Sequence, residues 1–239
     1  MNKHFKKIII LVVTIISLFI AWIYAGMFGF PWIKVQTENV SKKYLSEKYP
    51  DIKYKINKTY YNSKYGYYAC SVITEGNLPI TFDVKVNSKE NIHDNYYEMK
   101  VNTEATNMIT GLIKNSTPYI KYISVSEDAG ANAVEDSYKK YNSFTPGNAY
   151  PLVINLVWNG AEMSLDEFVD KALCVREILK NNNISVCGLC IIDNTNNYMI
   201  DLNGWVTDGK MEGNYNFSKA EIIESKAAIK IKSKSEGVY

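Results

Sequence analysis

The sequence IIILVVTIISLFIAWIYA, residues 8–25, decides the architecture of this 239-residue chain. Only Thr14 and Ser17 interrupt its apolar run. As an α-helix, these 18 residues rise by about 27 Å, close to the thickness of about 30 Å of the hydrocarbon core of a bilayer. The stretch without charged residues continues to Ile33. The sequence therefore predicts one transmembrane helix that contacts the lipid bilayer through residues 8–30.

A secretory signal peptide is the alternative interpretation of this segment, because a basic start followed by an apolar run is typical of both. Signal peptides have apolar cores of about 7–15 residues and end in a small-x-small cleavage site. Here the run is longer, and cleavage after Ala25 would place Ile23 where a small residue is required. Both features favour an uncleaved anchor.

The residues that flank the anchor indicate its orientation. Lys3, Lys6 and Lys7 precede it, and the positive-inside rule predicts that they are cytoplasmic and that the chain from Lys34 onward lies outside, at the cell membrane. Lys42 and Lys43, with Lys34, reduce that contrast. Amphipathic rings cluster at the distal end, as expected at a headgroup layer, and Pro31 is predicted to end the helix. The rings belong to Trp22, Tyr24, Phe28, Phe30 and Trp32.

The charge of the remaining chain argues against nucleic-acid binding. The sequence has 27 basic and 25 acidic residues. Three of the lysines precede the anchor, so 24 basic and 25 acidic residues remain beyond it. Nucleic-acid binding requires a basic surface that offsets phosphate charge, and this part of the chain is close to neutral.

The pattern predicts an α+β protein with a cytoplasmic tail and anchor over residues 1–33, an extracytoplasmic α+β domain over 34–146 and a C-terminal α+β domain over 147–239. The first domain is predicted to contain one helix and three antiparallel strands, because apolar residues follow helical spacing and then alternate. The predicted elements are the helix Val35–Tyr49 and the strands Lys53–Tyr61, Gly66–Thr74 and Leu78–Val86.

The middle of the sequence carries weaker patterns. Apolar spacing predicts a helix over Thr103–Lys114 and a strand over Tyr119–Val125. Val134, Tyr138 and Tyr141 indicate a short helix in the polar stretch that follows. The turn residues Thr145-Pro146-Gly147 are taken as the domain boundary.

The last third predicts the order β-α-β-β. The strands are Leu152–Trp158, Ser185–Ile192 and Tyr198–Leu202. Ser164 and Glu167 form the capping box of the intervening helix, Met163 and Phe168 occupy its hydrophobic-staple positions, and Asn181-Asn182-Asn183 ends it. Asp208-Gly209 predicts a further hairpin. Ser218 and Glu221 predict a second capping box and a final helix that buries Ile222, Ile223 and Ile229.

Several of these motifs together resemble the YfjL-like family of bacterial single-pass membrane-anchored proteins. They are Gly29-Phe30-Pro31-Trp32, the helix end KKYLSEKYP at residues 42–50, and Tyr150-Pro151-Leu152 before Leu165-Asp166-Glu167-Phe168. The resemblance covers most of the chain but implies no activity. The layout of the first domain is similar to PepSY-type and cystatin-like units, which bind or regulate other proteins.

Cysteine chemistry offers the sharpest catalytic motif, Cys187-Gly188-Leu189-Cys190. A redox pair needs its first thiol at an exposed helix N-terminus, which lowers the thiol pKa. Here the surrounding residues predict a strand, in which side chains three positions apart point to opposite faces. We therefore expect buried or unpaired thiols. A disulfide with Cys70 or Cys174, or a redox or metal role, stays an alternative.

Other catalytic and metal-binding residue types are scarce or have simpler explanations. Beyond the anchor, His93 is the only histidine, and its neighbours Asn91, Asp94 and Asn95 indicate a polar loop. Asp193-Asn194-Thr195-Asn196-Asn197 lacks the spaced acidic ligands of a calcium loop and predicts a polar turn. Carboxylate pairs occur at Glu127-Asp128, Glu135-Asp136 and Asp166-Glu167, of which the last suits a helix N-terminus.

Three functional hypotheses follow, and none assigns a catalytic, cofactor-binding or metal-binding residue. The first is a membrane-anchored binding or regulatory module without catalysis, with a protein partner in the envelope. The second is an envelope thiol enzyme that uses Cys187 or Cys190. The third is a structural subunit of a membrane complex, indicated by a stripe of Thr14, Ser17, Ala21 and Ala25 on one face of the anchor. Five tyrosines in the first hairpin, at positions 60, 61, 65, 67 and 68, suit either an interface or a small core.

Overall fold

The computed structural model describes residues 3–88, 91–114, 116–117, 120–127, 143–147, 152–159, 162–184, 186–207, 210–213 and 216–230. It is an α+β structure, as predicted. The chain forms two compact units, Met1–Met99 and Lys100–Tyr239. Val134, Tyr138 and Tyr141, from which a short helix was predicted, lie outside the described residues.

The apolar run forms helix α1, Lys3–Phe28. A helical segment that begins at Ile9 is long and apolar enough to cross a membrane, and none of its apolar window is buried within the protein. The helix ends before Pro31, as predicted. Gly29 follows it with φ of +72°, and Pro31 is the first residue of helix α2, Pro31–Lys48.

Helix α2 begins four residues before the predicted start at Val35 and buries a different set of side chains. Of the apolar residues Val40, Tyr44 and Leu45, which share a helical face by spacing, Leu45 is buried and the other two are only half-buried. Small polar Thr37 and Ser41 complete the buried face at spacings of four residues. Hydrophobic periodicity gave no weight to these residues, whose small size suits a helix packed closely on a sheet.

Among the described residues, the first unit contains one antiparallel sheet with the strand order β1-β2-β3-β4. The three predicted strands are confirmed, and the fourth was not predicted. Pro79 explains why β3 begins three residues later than predicted, because proline cannot donate a ladder hydrogen bond. The strands are β1 Tyr54–Asn62, β2 Tyr67–Thr74, β3 Thr81–Ser88 and β4 Asn91–Asp94. The core of the first unit includes Leu45, Tyr49, Phe82 and Tyr96.

Helix α3, Tyr96–Lys114, begins seven residues before the predicted start at Thr103. The Asp94 carboxylate accepts a hydrogen bond from the Tyr96 N–H at the start of this helix. Tyr96 lies in the core of the first unit, whereas Ile109 and Ile113 lie in the core of the second. The division between the units therefore falls inside a continuous helix.

The described part of the second unit contains a sheet with the order β10-β8-β7-β6-β5, and β9 pairs with β8. Strands β6 and β7 are parallel, and helix α4 connects them, so the predicted β-α-β-β order is confirmed. The elements are β5 Ile120–Glu127, β6 Leu152–Trp158, α4 Leu165–Asn181, β7 Val186–Asp193, β8 Tyr198–Thr207, β9 Lys210–Gly213, α5 Lys219–Glu224 and β10 Ala228–Lys230.

Both predicted capping boxes are present. Ser164 Oγ accepts from the Glu167 N–H, and Glu167 Oε2 accepts from the Ser164 N–H at 2.8 Å. Ser218 and Glu221 repeat this arrangement at α5. Phe168 is fully buried, and its ring meets that of Trp158 edge-on, with centroids 5.6 Å apart. Met163, the predicted staple residue, packs against the same core.

The prediction for the C-terminal helix is wrong in its extent and in one of its buried residues. Helix α5 ends at Glu224, and Lys226 follows with φ of +57°, which stops the helix. Ile222 is buried as predicted, but Ile223 is 43% exposed. Ile229 belongs to β10, which pairs with β8. Apolar residues keep a helical spacing as far as Ile229 although the chain has changed from helix to strand. Spacing alone therefore predicted a helix that is too long.

Strand β5, which precedes the predicted domain boundary at residue 146, pairs with β6, which follows it. The second compact unit accordingly begins at Lys100. The division into domains over residues 34–146 and 147–239 stays a prediction.

Candidate functional site

The junction between α1 and the β1–β2 hairpin is a closely packed point of the first unit. Gly29 is buried there. A Cβ at this position would lie 2.6 Å from Tyr61 Cβ and 2.8 Å from Tyr68 Cε1. The Phe30 N–H donates a hydrogen bond to Tyr68 Oη at 2.9 Å. Glycine alone tolerates both this close approach and the positive φ. The close packing and the hydrogen bond hold the end of α1 against the hairpin.

An apolar groove of about 580 Å³ lies beside this junction, which we call the junction groove. One wall consists of the last two turns of α1, and the other consists of the hairpin. Tyr61 and Tyr68 line the hairpin wall with ring centroids 4.7 Å apart. No acidic or basic residue is among the described residues that line it. The groove therefore suits an apolar ligand better than a charged one. Its α1 wall contains Trp22, Ile23, Ala25, Gly26 and Met27.

A second groove of about 330 Å³ lies next to it and shares Gly66 and Tyr68. Its other side chains come from α2 and from the end of β3, including Gln36, Thr37 and Asn87. This groove is more polar in residue type, and the described residues that line it again include no charged side chain.

The Asp94 cluster holds α2 to the sheet of the first unit. The Asp94 side chain is only 2% exposed and accepts four hydrogen bonds. Tyr44 Oη and Lys48 Nζ donate to Oδ2 at 2.6 and 2.7 Å, and Tyr49 Oη and the Tyr96 N–H donate to Oδ1 at 2.9 Å. Lys48 also donates to Tyr44 Oη at 2.8 Å. A buried carboxylate with this many donors stabilises the fold as its anion.

The pKa values in the Asp94 cluster follow from these contacts. Burial alone would raise the pKa of Asp94, but the hydrogen bonds from Lys48, Tyr44 and the Tyr96 N–H outweigh it and lower the pKa. Burial, followed by the Asp94 charge, raises the pKa of Tyr49 far above its usual range. Burial and the hydrogen bond to Asp94 also raise the pKa of Tyr44. These shifts favour an ionised Asp94 carboxylate, paired with Lys48, and neutral phenols at Tyr44 and Tyr49.

The cysteines are all present as thiols. Cys70 is buried and Cys174 is exposed. Cys187 and Cys190 are half-buried in β7, which confirms the predicted strand. The strand is irregular at Cys187, because Leu152 pairs with Val186 whereas the next residue, Val153, pairs with Gly188. This bulge removes the strict alternation from which opposite orientations of the two thiols were predicted.

The environment of Cys190 disfavours its thiolate. Burial raises the pKa of the Cys190 thiol, and the charge of Asp201 on the neighbouring strand adds to this effect. Cys187 Sγ donates a hydrogen bond to the Leu152 carbonyl at 3.4 Å. A nucleophilic or redox-active thiol requires the opposite change in pKa. The behaviour of the pair in a redox buffer stays a prediction.

The other candidate residues, where the structure describes them, lie in strands, helix caps or hydrogen bonds of the fold. His93 lies in β4, where it pairs with Lys85 of β3, so the predicted loop is wrong, although the side chain is exposed as expected. Asp166 accepts from Lys219 Nζ at 2.6 Å, and Glu167 completes its capping box. Glu127 is the end of β5, whereas Asp128, Glu135 and Asp136 lie outside the described residues.

The predicted polar turn at Asp193 is confirmed. Asp193 is fully buried, and its carboxylate accepts from the Thr195 N–H at 3.0 Å and from Asn196 Nδ2 at 2.6 Å. Asn197 has φ of +56°, which suits a tight turn. Within the described ranges, no group of three or more His, Cys, Asp or Glu side chains is arranged to hold a metal ion.

The hydroxyl groups on the predicted small-residue stripe of α1 bond within their own helix. Thr14 Oγ1 donates to the Ile10 carbonyl at 2.8 Å, and Ser17 Oγ donates to the Val13 carbonyl at 2.9 Å. The stripe therefore provides small side chains but no unsatisfied hydroxyl that requires a partner helix.

Sequence reasoning missed the Asp94 cluster and the junction groove. The cluster joins residues 45 to 50 positions apart, and Asp94 had been assigned to a polar loop. In the sequence, the groove was indicated only by Gly29 and by the Tyr-rich hairpin. An isolated glycine between two helices suggests that other atoms approach the backbone closely there. No pattern of catalytic residues pointed to either feature.

Comparison with known proteins supports the resemblance predicted from the sequence. Residues 4–116 match the family model described as YfjL-like, N-terminal domain. The match covers α1 from residue 4, α2, the first sheet and α3, and it ends before β5. No curated protein and no solved structure matches the chain.

Proposed function

We propose, from the premise that residues 4–116 form a YfjL-like N-terminal domain, that this chain is a single-pass membrane protein which acts by binding or regulation and not by catalysis. The N-terminus faces the cytoplasm of a bacterial cell, and the domain after Lys34 lies outside the cell membrane. A protein of the envelope is the proposed partner.

The observation that carries the proposal is the exposure of α1. From Ile9 to Phe28, every side chain except that of Ala25, which is half-buried, is exposed. Large apolar side chains such as Leu18 and Phe19 are 65% and 59% exposed. A soluble protein rarely exposes an apolar surface of this extent, whereas a lipid bilayer would cover it.

The absence of catalysis is proposed from the state of the candidate residues. The thiol pKa of Cys190 is raised, Asp193 is bound within a turn, and Asp94 is surrounded by hydrogen-bond donors of the fold. Asp193 and Asp94 are therefore held in hydrogen bonds of the fold, and Cys190 lacks the lowered pKa that an activated thiol requires. The envelope thiol enzyme would need at least one activated cysteine.

Membrane extraction tests the anchor. The full chain should remain in the membrane pellet after alkaline carbonate treatment. The double variant Ile16→Lys/Phe19→Lys should be released, because each lysine costs about 2.5–3.5 kcal/mol at the centre of a spanning helix. Asn39→Lys, an exposed change outside α1, is the matched control and should remain in the pellet. Release of the unchanged chain by carbonate would contradict the proposal.

A further inference from the structure

We propose that the tip of the β1–β2 hairpin, residues 62–66, is a second membrane contact that lies in the headgroup layer of the bilayer spanned by α1 and favours anionic lipids. The inference rests on the proposed function, because it needs α1 in a bilayer. It adds an interaction surface and the chemistry of its partner.

Helix length places the hairpin tip at the edge of the bilayer. A spanning helix needs about 20 residues, so a span that begins near Ile8 ends near Met27. Gly66, at the tip, lines the junction groove opposite Trp22, Ile23 and Met27. The tip therefore lies beside the last turns of α1, at the depth of the interface, and not at the far end of the domain.

The junction prevents the hairpin from moving freely away from this depth. Gly29 lies in contact with Tyr61 and Tyr68, and the Phe30 N–H is bonded to Tyr68 Oη. The connection between α1 and the hairpin is thus a packed contact and not a flexible linker. If α1 spans the bilayer, the hairpin tip is held at its surface.

The side chains of the hairpin suit an interface with anionic lipids. Tyr65 is 65% exposed, and Lys64 Nζ lies 5.0 Å from the centroid of its ring. Lys64 is the charged residue of the tip, and the whole hairpin, residues 54–74, contains no acidic residue. Tyrosine rings favour the headgroup level, and lysines near the membrane surface are attracted to anionic lipids. The apolar junction groove next to the tip can accept the adjoining part of a lipid chain.

Relaxation measurements on the full chain in nanodiscs test the proposal. The protein carries 3-fluorotyrosine, the discs contain phosphatidylglycerol, and a small fraction of the lipid has a nitroxide on its headgroup. Tyr24→Phe, Tyr54→Phe and Tyr65→Phe assign three ¹⁹F signals. Tyr24 reports on α1, and Tyr65 reports on the tip. Tyr54 is the matched control, since it lies at the other end of β1, about 26 Å along the strand from Asn62.

We expect the nitroxide to weaken the signals of Tyr24 and Tyr65 severalfold more than that of Tyr54. A weakened Tyr24 signal with equal intensities for Tyr65 and Tyr54 would overturn the inference and leave the anchor intact. That outcome is also the one expected if the tip binds another protein instead of lipid. An unaffected Tyr24 signal would contradict the membrane anchor itself, and the inference with it.

A charge variant tests the preference for anionic lipid. Replacing phosphatidylglycerol by phosphatidylcholine should reduce the effect of the nitroxide on Tyr65. Lys64→Gln should remove most of this difference, whereas Lys55→Gln, near the far end of the hairpin, should preserve it. Equal effects on Tyr65 in the two lipids would overturn the anionic preference.

Discussion

The two units differ in the kind of contact that holds them together. In the second unit, aliphatic residues from β6, β7 and β8 pack against α4 around Phe168 and Trp158. In the first unit, a smaller core of aromatic and aliphatic side chains is accompanied by the polar Asp94 cluster. Apolar patterns and helix caps therefore predict the β-α-β-β part of the second unit well. The first depends on hydrogen bonds between residues distant in sequence, which local patterns do not reveal.

The largest effect is expected from removal of the central ring of the second unit. Phe168→Ala should lower the free energy of unfolding by about 3–5 kcal/mol, because it leaves a cavity beside Trp158. Ile223→Ala is the control, since this side chain is 43% exposed and its loss should cost about 0.5 kcal/mol or less. Urea denaturation measures both values. A loss below about 1 kcal/mol for Phe168→Ala would contradict an apolar origin of this unit's stability.

In the first unit, the substitution that corresponds to Phe168→Ala removes a charge and not an apolar ring. Asp94→Asn should lower the free energy of unfolding by about 2–3 kcal/mol, because it removes the charge that pairs with Lys48 and leaves phenol donors with a poorer acceptor. Asp51→Asn, at an exposed position, is the matched control. Thermal melts of the full chain in detergent compare the two variants. Equal stability would show that the Asp94 cluster does not hold α2 to the sheet.

The pH dependence of stability tests the contribution of the Asp94 charge to the first unit. The pKa of Asp94 is lowered in the folded state, so its stabilising effect is complete above the unfolded value of about 3.9 and is lost as the pH falls through the lower folded value. Acid should therefore destabilise the unchanged chain more than Asp94→Asn. If acid lowered the stability of the two proteins equally, the proposed ionised state of the Asp94 carboxylate would be contradicted.

Smaller effects are expected from three glycines of the first unit. Gly29→Ala should destabilise it by about 1–3 kcal/mol, because it adds a clash with Tyr61 to an unfavourable positive φ. Gly66→Ala adds only the unfavourable φ and should cost about 1 kcal/mol. Gly26→Ala has neither problem and should be neutral. Thermal melts give the order, and a Gly29→Ala variant as stable as Gly26→Ala would contradict the packed junction.

The fold was largely predictable because most of it follows local rules. Ser164 and Glu167 specify a helix start through neighbouring atoms, and the alternation in β3 and β6 specifies strands. Errors arose where a distant contact decided the outcome. Tyr96 extends α3 because it packs against Tyr49, with ring centroids 4.8 Å apart. Ile229 joins β10 because β8 offers a free edge. The Asp94 cluster could not be predicted, since no local pattern brings Tyr44, Lys48 and Asp94 together.

The central claim is that α1 is retained and anchors an outward-facing domain. Protease treatment of intact protoplasts, followed by mass spectrometry of the membrane fraction, tests it most directly. The account predicts that peptides from the chain beyond Lys34 disappear while the segment from Lys7 to Phe28 stays protected in the membrane. A mature N-terminus near Ala25 or Gly26 before protease treatment, or full protection of the C-terminal unit, would contradict it.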